Sequence, residues 1–185
     1  MPVIRHRFRD FSGLVACFAL YIISATNALT AETELADRRG KLEGQQYTFS
    51  GTPAFCIELP AGCLIGERSN PNSQVVSLRT REGITVEASV EPMPETFHAS
   101  HGGPFYFGIL SKVVGKNHEF LAQRKIALAN DQEAYRTDIL WTIGDVQVHT
   151  VLVSVYTQGH WVFIAVHPVD NVEQFAQIAE SLSLP

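Results

Sequence analysis

The stretch LAQRKIALANDQEAYRTDILWTIGDVQVHTVLVSVYTQGHWVFIAVHPVDNVEQFAQIAESL, residues 121–182, decides the fold. Four segments in it have strand length and carry β-branched or aromatic residues: Leu121–Leu128, Glu133–Trp141, Val146–Tyr156 and Trp161–His167. Between them stand Ala129-Asn130-Asp131, Ile143-Gly144-Asp145 and Gln158-Gly159, short connections rich in turn formers. Short turns fold each strand back beside the last, so an antiparallel meander is expected. After Pro168 the period changes. Val172, Phe175, Ala176, Ala179 and Leu182 share one face at helical spacing, which predicts an amphipathic helix over 172–182. Asp170 followed by Glu173 resembles a capping box, with Asp in the place of Ser or Thr.

Working back toward the N-terminus, Val75–Arg81 and Ile84–Val90 read as strands joined by a tight Glu82-Gly83 turn. Tyr47–Ser50 and Ala54–Leu59 also read as strands, with Phe55, Ile57 and Leu59 alternating onto one face. Arg68–Ser73 reads as a loop. Glu95–Pro104 shows no period and is expected to be an irregular segment, followed by a helix over Phe105–Gly115 with Gly115 as its C-cap. The fold class is therefore α+β: an antiparallel sheet with a C-terminal meander, flanked by helices.

The N-terminus carries a different message. Arg5, Arg7 and Arg9 form a basic n-region, and no charged residue occurs from Phe11 to Ala31. Leu14–Ile23 is an apolar core of signal-peptide length, and small residues after it suit cleavage after Ala28 or Ala31. An uncleaved anchor is the rival reading, but the last third of the run is polar. A lipoprotein reading of Leu14-Val15-Ala16-Cys17 leaves the apolar core on the wrong side of the cysteine. The expected organisation is a signal peptide at 1–31, a flexible lead-in at 32–46 and one domain at 47–185, exported to the periplasm or secreted. Contact with a membrane is then expected only through an uncleaved signal segment.

Beyond Ala31 there are 11 Lys and Arg against 18 Asp and Glu, with no basic cluster. That argues against nucleic acid, whose binding neutralises phosphates. Cys56 and Cys63 remain after the signal, an even number in an oxidising compartment, so a disulfide between them is expected.

Two stretches resemble PsbP-like domains. One is Phe55-Cys56-Ile57-Glu58-Leu59-Pro60-Ala61-Gly62-Cys63, similar to the opening strand with its Pro and Gly. The other is Gln132-Glu133-Ala134-Tyr135-Arg136, two long strands, Gly159-His160-Trp161-Val162-Phe163-Ile164 and a final helix with Ser181-Leu182. The resemblance covers roughly Tyr47 to Leu184. It implies an α/β/α sandwich of a kind that mostly hosts non-catalytic binding or assembly modules, among them extrinsic photosystem subunits and bacterial exported proteins. The chain departs where Cys63 replaces a packing Trp, and a bridge to Cys56 would then do the pinning. The resemblance transfers no set of functional residues.

Chemistry must be sought residue by residue. His98 and His101 form an HxxH pair that could supply two ligands of a Zn or Cu site, with His118 as the natural third. His149, His160 and His167 read as ordinary strand and turn histidines. Ser100-His101 does not make a nucleophile and base, and neither a GxSxG elbow nor HExxH occurs. Glu87 and Glu91 share a strand face, as exposed carboxylates often do. Phe97, Phe105, Tyr106 and Phe107 flank the irregular segment and form a candidate binding surface. The expectation is a non-enzymatic binding or assembly module needing no cofactor, acting on an envelope protein or small ligand. The alternative is a histidine-based metal-binding protein or metal-dependent enzyme.

Overall fold

The structure, a computed structural model, describes residues 40–65, 76–81, 83–114, 117–168 and 170–185. The expected signal segment, most of the lead-in, the Arg68–Ser73 loop, Glu82 and Gly115 lie outside the described residues.

A small antiparallel sheet comes first, in the order β1 (Lys41–Glu43), β2 (Gln46–Phe49) and β3 (Phe55–Glu58). β1 occupies part of the segment expected to be flexible lead-in. The large sheet has seven strands: β4 (Leu64–Ile65), β5 (Val76–Arg79), β6 (Thr85–Pro92), β7 (His118–Ala127), β8 (Glu133–Ile143), β9 (Val146–Thr157) and β10 (His160–Val166). Its order is β4-β5-β6-β10-β9-β8-β7, with every pairing antiparallel. β7 to β10 are the expected meander. The turn before β10 has Gln158 at φ 50° and Gly159 at φ 72°, the paired positive angles of a type I′ hairpin. β10 also pairs with β6 along its whole length, Trp161 opposite Glu91 and Val166 opposite Val86. The last strand therefore joins the two halves of the sheet.

Alternation along the strands builds two cores. Val162, Ile164 and Val166 of β10 bury one face together with Val86, Val90, Val153 and Val155. The small sheet contributes Tyr47, Phe55 and Ile57, and the C-terminal helix α2 (Val172–Glu180) contributes Phe175, Ile178 and Ala179. On the opposite face Trp161, Phe163, Leu152 and Ile139 are covered by Tyr106 and Leu110 of α1 (Ala99–Val114). The architecture is the expected α+β one, a sheet with a helix on each face. Among the described residues no helix is long and apolar enough to cross a membrane.

Three expectations are corrected. First, α1 starts at Ala99, inside the segment read as irregular. Pro104 sits within the helix and has no N–H to give to the Ser100 carbonyl. The Gln123 side-chain amide donates to that carbonyl instead, at 2.9 Å. Second, the capping box at α2 does not form. The N-cap is Asn171, left-handed at φ 51°, with no side-chain cap. Third, Cys56 and Cys63 are not bridged to each other. Phe55 and Ile57 point into the core, so Cys56 between them points away, whereas Cys63 is buried in that core. Cys56 Sγ instead lies 3.7 Å from Thr48 Oγ1.

The C-terminus completes the small sheet. Cys56 and Ser183 exchange two backbone hydrogen bonds of 2.9 Å, and the Glu58 N–H donates to Ser181 Oγ at 2.8 Å.

Candidate functional site

Gly102 and Gly103 set where α1 lies. A Cβ at Gly102 would stand 2.6 Å from Trp161 Nε1, and one at Gly103 would stand 2.8 Å from Gln123 Nε2. The glycines seat the first turns of α1 hard against β8, β9 and β10. They do not serve a loose loop.

This seating brings the singled-out residues to one end of the helix. The His98 backbone N–H donates to His101 Nδ1 at 3.1 Å, so the His101 ring caps the first turn. The two imidazoles lie 5.2 Å apart, and only Nε2 of His101 remains for a ligand. His118 is not near them. Its Nε2 is 2.6 Å from Ser111 Oγ, and its ring packs on Phe107 at 4.6 Å, toward the other end of α1. Among the described residues no group of three or more His, Cys, Asp and Glu could hold a metal ion. His160 Nδ1 contacts the Gln158 carbonyl at 2.7 Å in the hairpin.

The aromatic surface divides. Phe97 and Tyr106 are buried in the core beneath α1, and Phe107 packs edge-on to Phe120. Only Phe105 is largely open, 45% exposed, with its ring edge-on to Trp161 at 5.5 Å. The expected four-residue surface is thus corrected to one exposed ring standing on two buried ones. Phe105→Ala is expected to change unfolding free energy by about 1 kcal/mol or less. A denaturant titration showing a larger loss would place Phe105 in the core.

Beside these residues opens a cleft of about 310 Å³, lined by His98, Ala99, Ser100, Gln132, Glu133, Tyr135 and Tyr156. The positive end of the α1 dipole forms one wall. Tyr156 donates its hydroxyl to the Pro94 carbonyl, which fixes the ring. The Lys125 ammonium holds the Glu133 carboxyl below its ordinary range. The cleft offers hydroxyl, amide, imidazole and carboxylate groups on a rigid frame. That mixture suits a small polar ligand or a partner's side chain.

Sequence reasoning missed the Arg136 cluster. Arg136 lies on β8, facing the core side, with its side chain 2% exposed. All five of its N–H donors are used. It grips both oxygens of Asp138 at 3.1 and 2.9 Å. It also grips both oxygens of Glu173 at 3.0 and 2.8 Å, and Glu180 at 2.9 Å. Glu173, expected to cap α2, instead ties α2 to the sheet. Burial pushes the Asp138 carboxyl up, but His149 and Arg136 outweigh it and leave the pKa below the ordinary value. Arg136 likewise holds Glu173 low. His149 Nε2 lies 3.3 Å from Asp138 Oδ1, so His149 serves this cluster. The available signal was an arginine at an inward position of a strand, between Ala134 and Asp138.

Glu87 and Glu91 are not the exposed pair expected. Glu87 is buried and accepts from Tyr106, while Glu91 accepts from Ser89 Oγ at 2.8 Å. Burial raises the Glu91 pKa.

Among solved structures, the chain is similar to cyanobacterial PsbP (CyanoP) from Synechocystis sp. PCC 6803, with a TM-score of 0.59. The match covers 85% of this chain and 98% of that one, at 11% identity. The fold is PsbP-like. A protein of unknown function from Pseudomonas aeruginosa, PA94, described as a putative regulator, matches at 10% identity over 67% of this chain and 83% of that one. Its TM-score of 0.40 is too low to bear on the fold. No family model and no curated protein matches. The PsbP-like likeness spans nearly all of the cyanobacterial domain.

Proposed function

We propose that this PsbP-like chain is an exported binding or assembly module of the bacterial periplasm or envelope, working without catalysis. The observation that carries the reading is the first half of α1, where Phe97 packs between Tyr156 of the polar cleft and the exposed Phe105 ring. Export is supported by the basic n-region, apolar core and small residues of the first 31 positions. Binding residues concentrate where a rigid frame presents a few exposed groups. The PsbP-like fold supports a binding role, as the resemblance implies.

The test is site-specific photo-crosslinking in native envelopes. A photoreactive residue at Phe105 is expected to capture a discrete adduct. The same residue at Leu64, which is 69% exposed at the far edge of the large sheet, is expected to capture none. The adduct mass also reads the processed N-terminus, expected at Leu29 or Glu32. Equal labelling at both positions, or none at Phe105, sinks the proposal.

A further inference from the structure

The Trp161 indole has two neighbours whose binding capacity the fold leaves unused. Glu91 of β6 stands opposite Trp161 in the β6–β10 pairing, and opposed residues of an antiparallel pair project on the same face. That face is the one α1 covers, because Trp161 packs there with Tyr106 and Leu110. From α1 the Phe105 ring meets the Trp161 ring edge-on at 5.5 Å. One buried indole is thus flanked by a carboxylate and by an exposed aromatic ring.

The carboxylate is short of partners. Ser89 Oγ donates to Oε1 of Glu91 at 2.8 Å, and no other side chain among the described residues bonds to it. Glu133, Asp138, Glu173 and Glu180 each hold a Lys or Arg, whereas no cation among the described residues pairs with Glu91. The segment from Glu91 to α1, residues 92–98, adds Glu95 and no Lys or Arg. Glu91 is half-buried, and that burial raises its pKa against the pull of the Ser89 hydrogen bond. A carboxylate drawn partly out of water with no cation of its own gains from one supplied from outside. Phe105 adds contact area: its ring is 45% exposed, and Gly108, three positions on, leaves open space where a side chain would stand.

We propose that Glu91 and Phe105 dock a basic, apolar segment of a partner protein, with an arginine on the Glu91 carboxylate and an aliphatic side chain against the Phe105 ring. This rests on the binding role proposed above and gives the partner its chemistry. Arginine suits the site better than lysine, since its planar fork bonds a carboxylate and its face lies flat on an aromatic ring. Its three-carbon stem also covers apolar surface while the charge reaches the acid. The chain beyond Ala31 carries 18 Asp and Glu against 11 Lys and Arg, a balance that attracts a cationic partner over distance.

The probe is the blocked tripeptide acetyl-Leu-Ala-Arg-amide, titrated into the full chain, with the citrulline tripeptide as its uncharged counterpart. Indole N–H resonances report the place of binding. Trp161 pairs with Tyr156 and Trp141 with Val148, eight positions apart on β9, or about 26 Å. The arginine peptide is expected to shift the Trp161 signal and leave that of Trp141. The citrulline peptide is expected to bind about tenfold more weakly, the loss of one charge-assisted hydrogen bond. Glu91→Gln keeps an oxygen for Ser89 and should weaken the arginine peptide by the same factor. Phe105→Ala should weaken both peptides alike. Should the Glu91 variant misfold, the arginine-to-citrulline ratio in wild type still decides. Equal affinity for the two peptides overturns the proposal, as does an unchanged affinity in a folded Glu91→Gln variant. So does a Trp141 shift as large as that of Trp161, or no shift at all. Arginine amide alone binding as tightly as the tripeptide removes the apolar half and overturns it too. The crosslink at Phe105 is scored separately: an adduct there without arginine preference here leaves the binding role standing and strikes only the basic partner.

Discussion

Arg136→Ala is expected to lower the unfolding free energy by about 3–5 kcal/mol and the melting temperature by on the order of 10 °C. The guanidinium is 2% exposed and satisfies three carboxylates that converge on it from β8 and α2. Removing it leaves Asp138 and Glu180 partly buried, Glu180 with Arg124 at 3.9 Å and Asp138 with His149 at 3.3 Å. Arg136→Lys should fall between, since an ammonium cannot grip two carboxylates by both oxygens. The effect depends on pH with a definite sign. Glu173 and Asp138 have folded pKa values below their ordinary ones. Their contribution is present above the unfolded values, near about pH 4, and is lost as pH falls through the folded values. Urea titrations of wild type and Arg136→Ala should therefore differ widely at pH 7 and draw together as pH falls through the folded values, below about 4. A difference under about 1 kcal/mol at pH 7 would reduce the cluster to an ordinary surface ion pair.

The Gly102→Ala, Gly103→Ala double variant is expected to lose about 2–6 kcal/mol, from roughly 1–3 kcal/mol of overpacking at each site. Helix propensity alone predicts the opposite sign, a gain of about 0.5–1 kcal/mol for each Gly-to-Ala change. Contact decides. The new methyl at Gly102 would meet Ser154 and the Trp161 ring, and the one at Gly103 would meet Thr137 and Gln123. Both groups of neighbours are held by the sheet. Gly108 is the internal control, because a Cβ there meets nothing within 4 Å. Gly108→Ala should gain the propensity increment. Thermal melts of the two variants moving in the same direction would refute the seating.

These two sites also show what could be read without coordinates. The meander and final helix were readable because each residue's choice is local: β-branched runs of strand length, then turn formers, then a helical stripe. The exchange of Gly102-Gly103-Pro104 from loop to helix was not readable, since the compensation comes from Gln123 and from strands distant in sequence. The same holds for Glu173. Its spacing from Asp170 suits a cap, but Arg136, 37 positions away, is the stronger partner. The candidate site was half readable. His98, His101 and Phe105 stand where the segment pointed, whereas Tyr135, Tyr156 and Gln132 arrive from the meander and only the fold brings them to the cleft.

β10 lies between β6 and β9, although it is the last strand made. A ribosome emitting this chain releases β4 to β6, then β7 to β9, as two half-sheets that share no hydrogen-bonded edge. They are joined only when residues 160–166 emerge, and the backbone bridge from Cys56 of the small sheet waits longer still, for Ser183. A growing or partly threaded chain can thus pair strands within each half, but it cannot close the seven-stranded sheet. The arrangement acts as a clock: chain length sets when the full seven-stranded sheet can close. A polypeptide that must pass through a narrow pore before it folds would be served by such a delay.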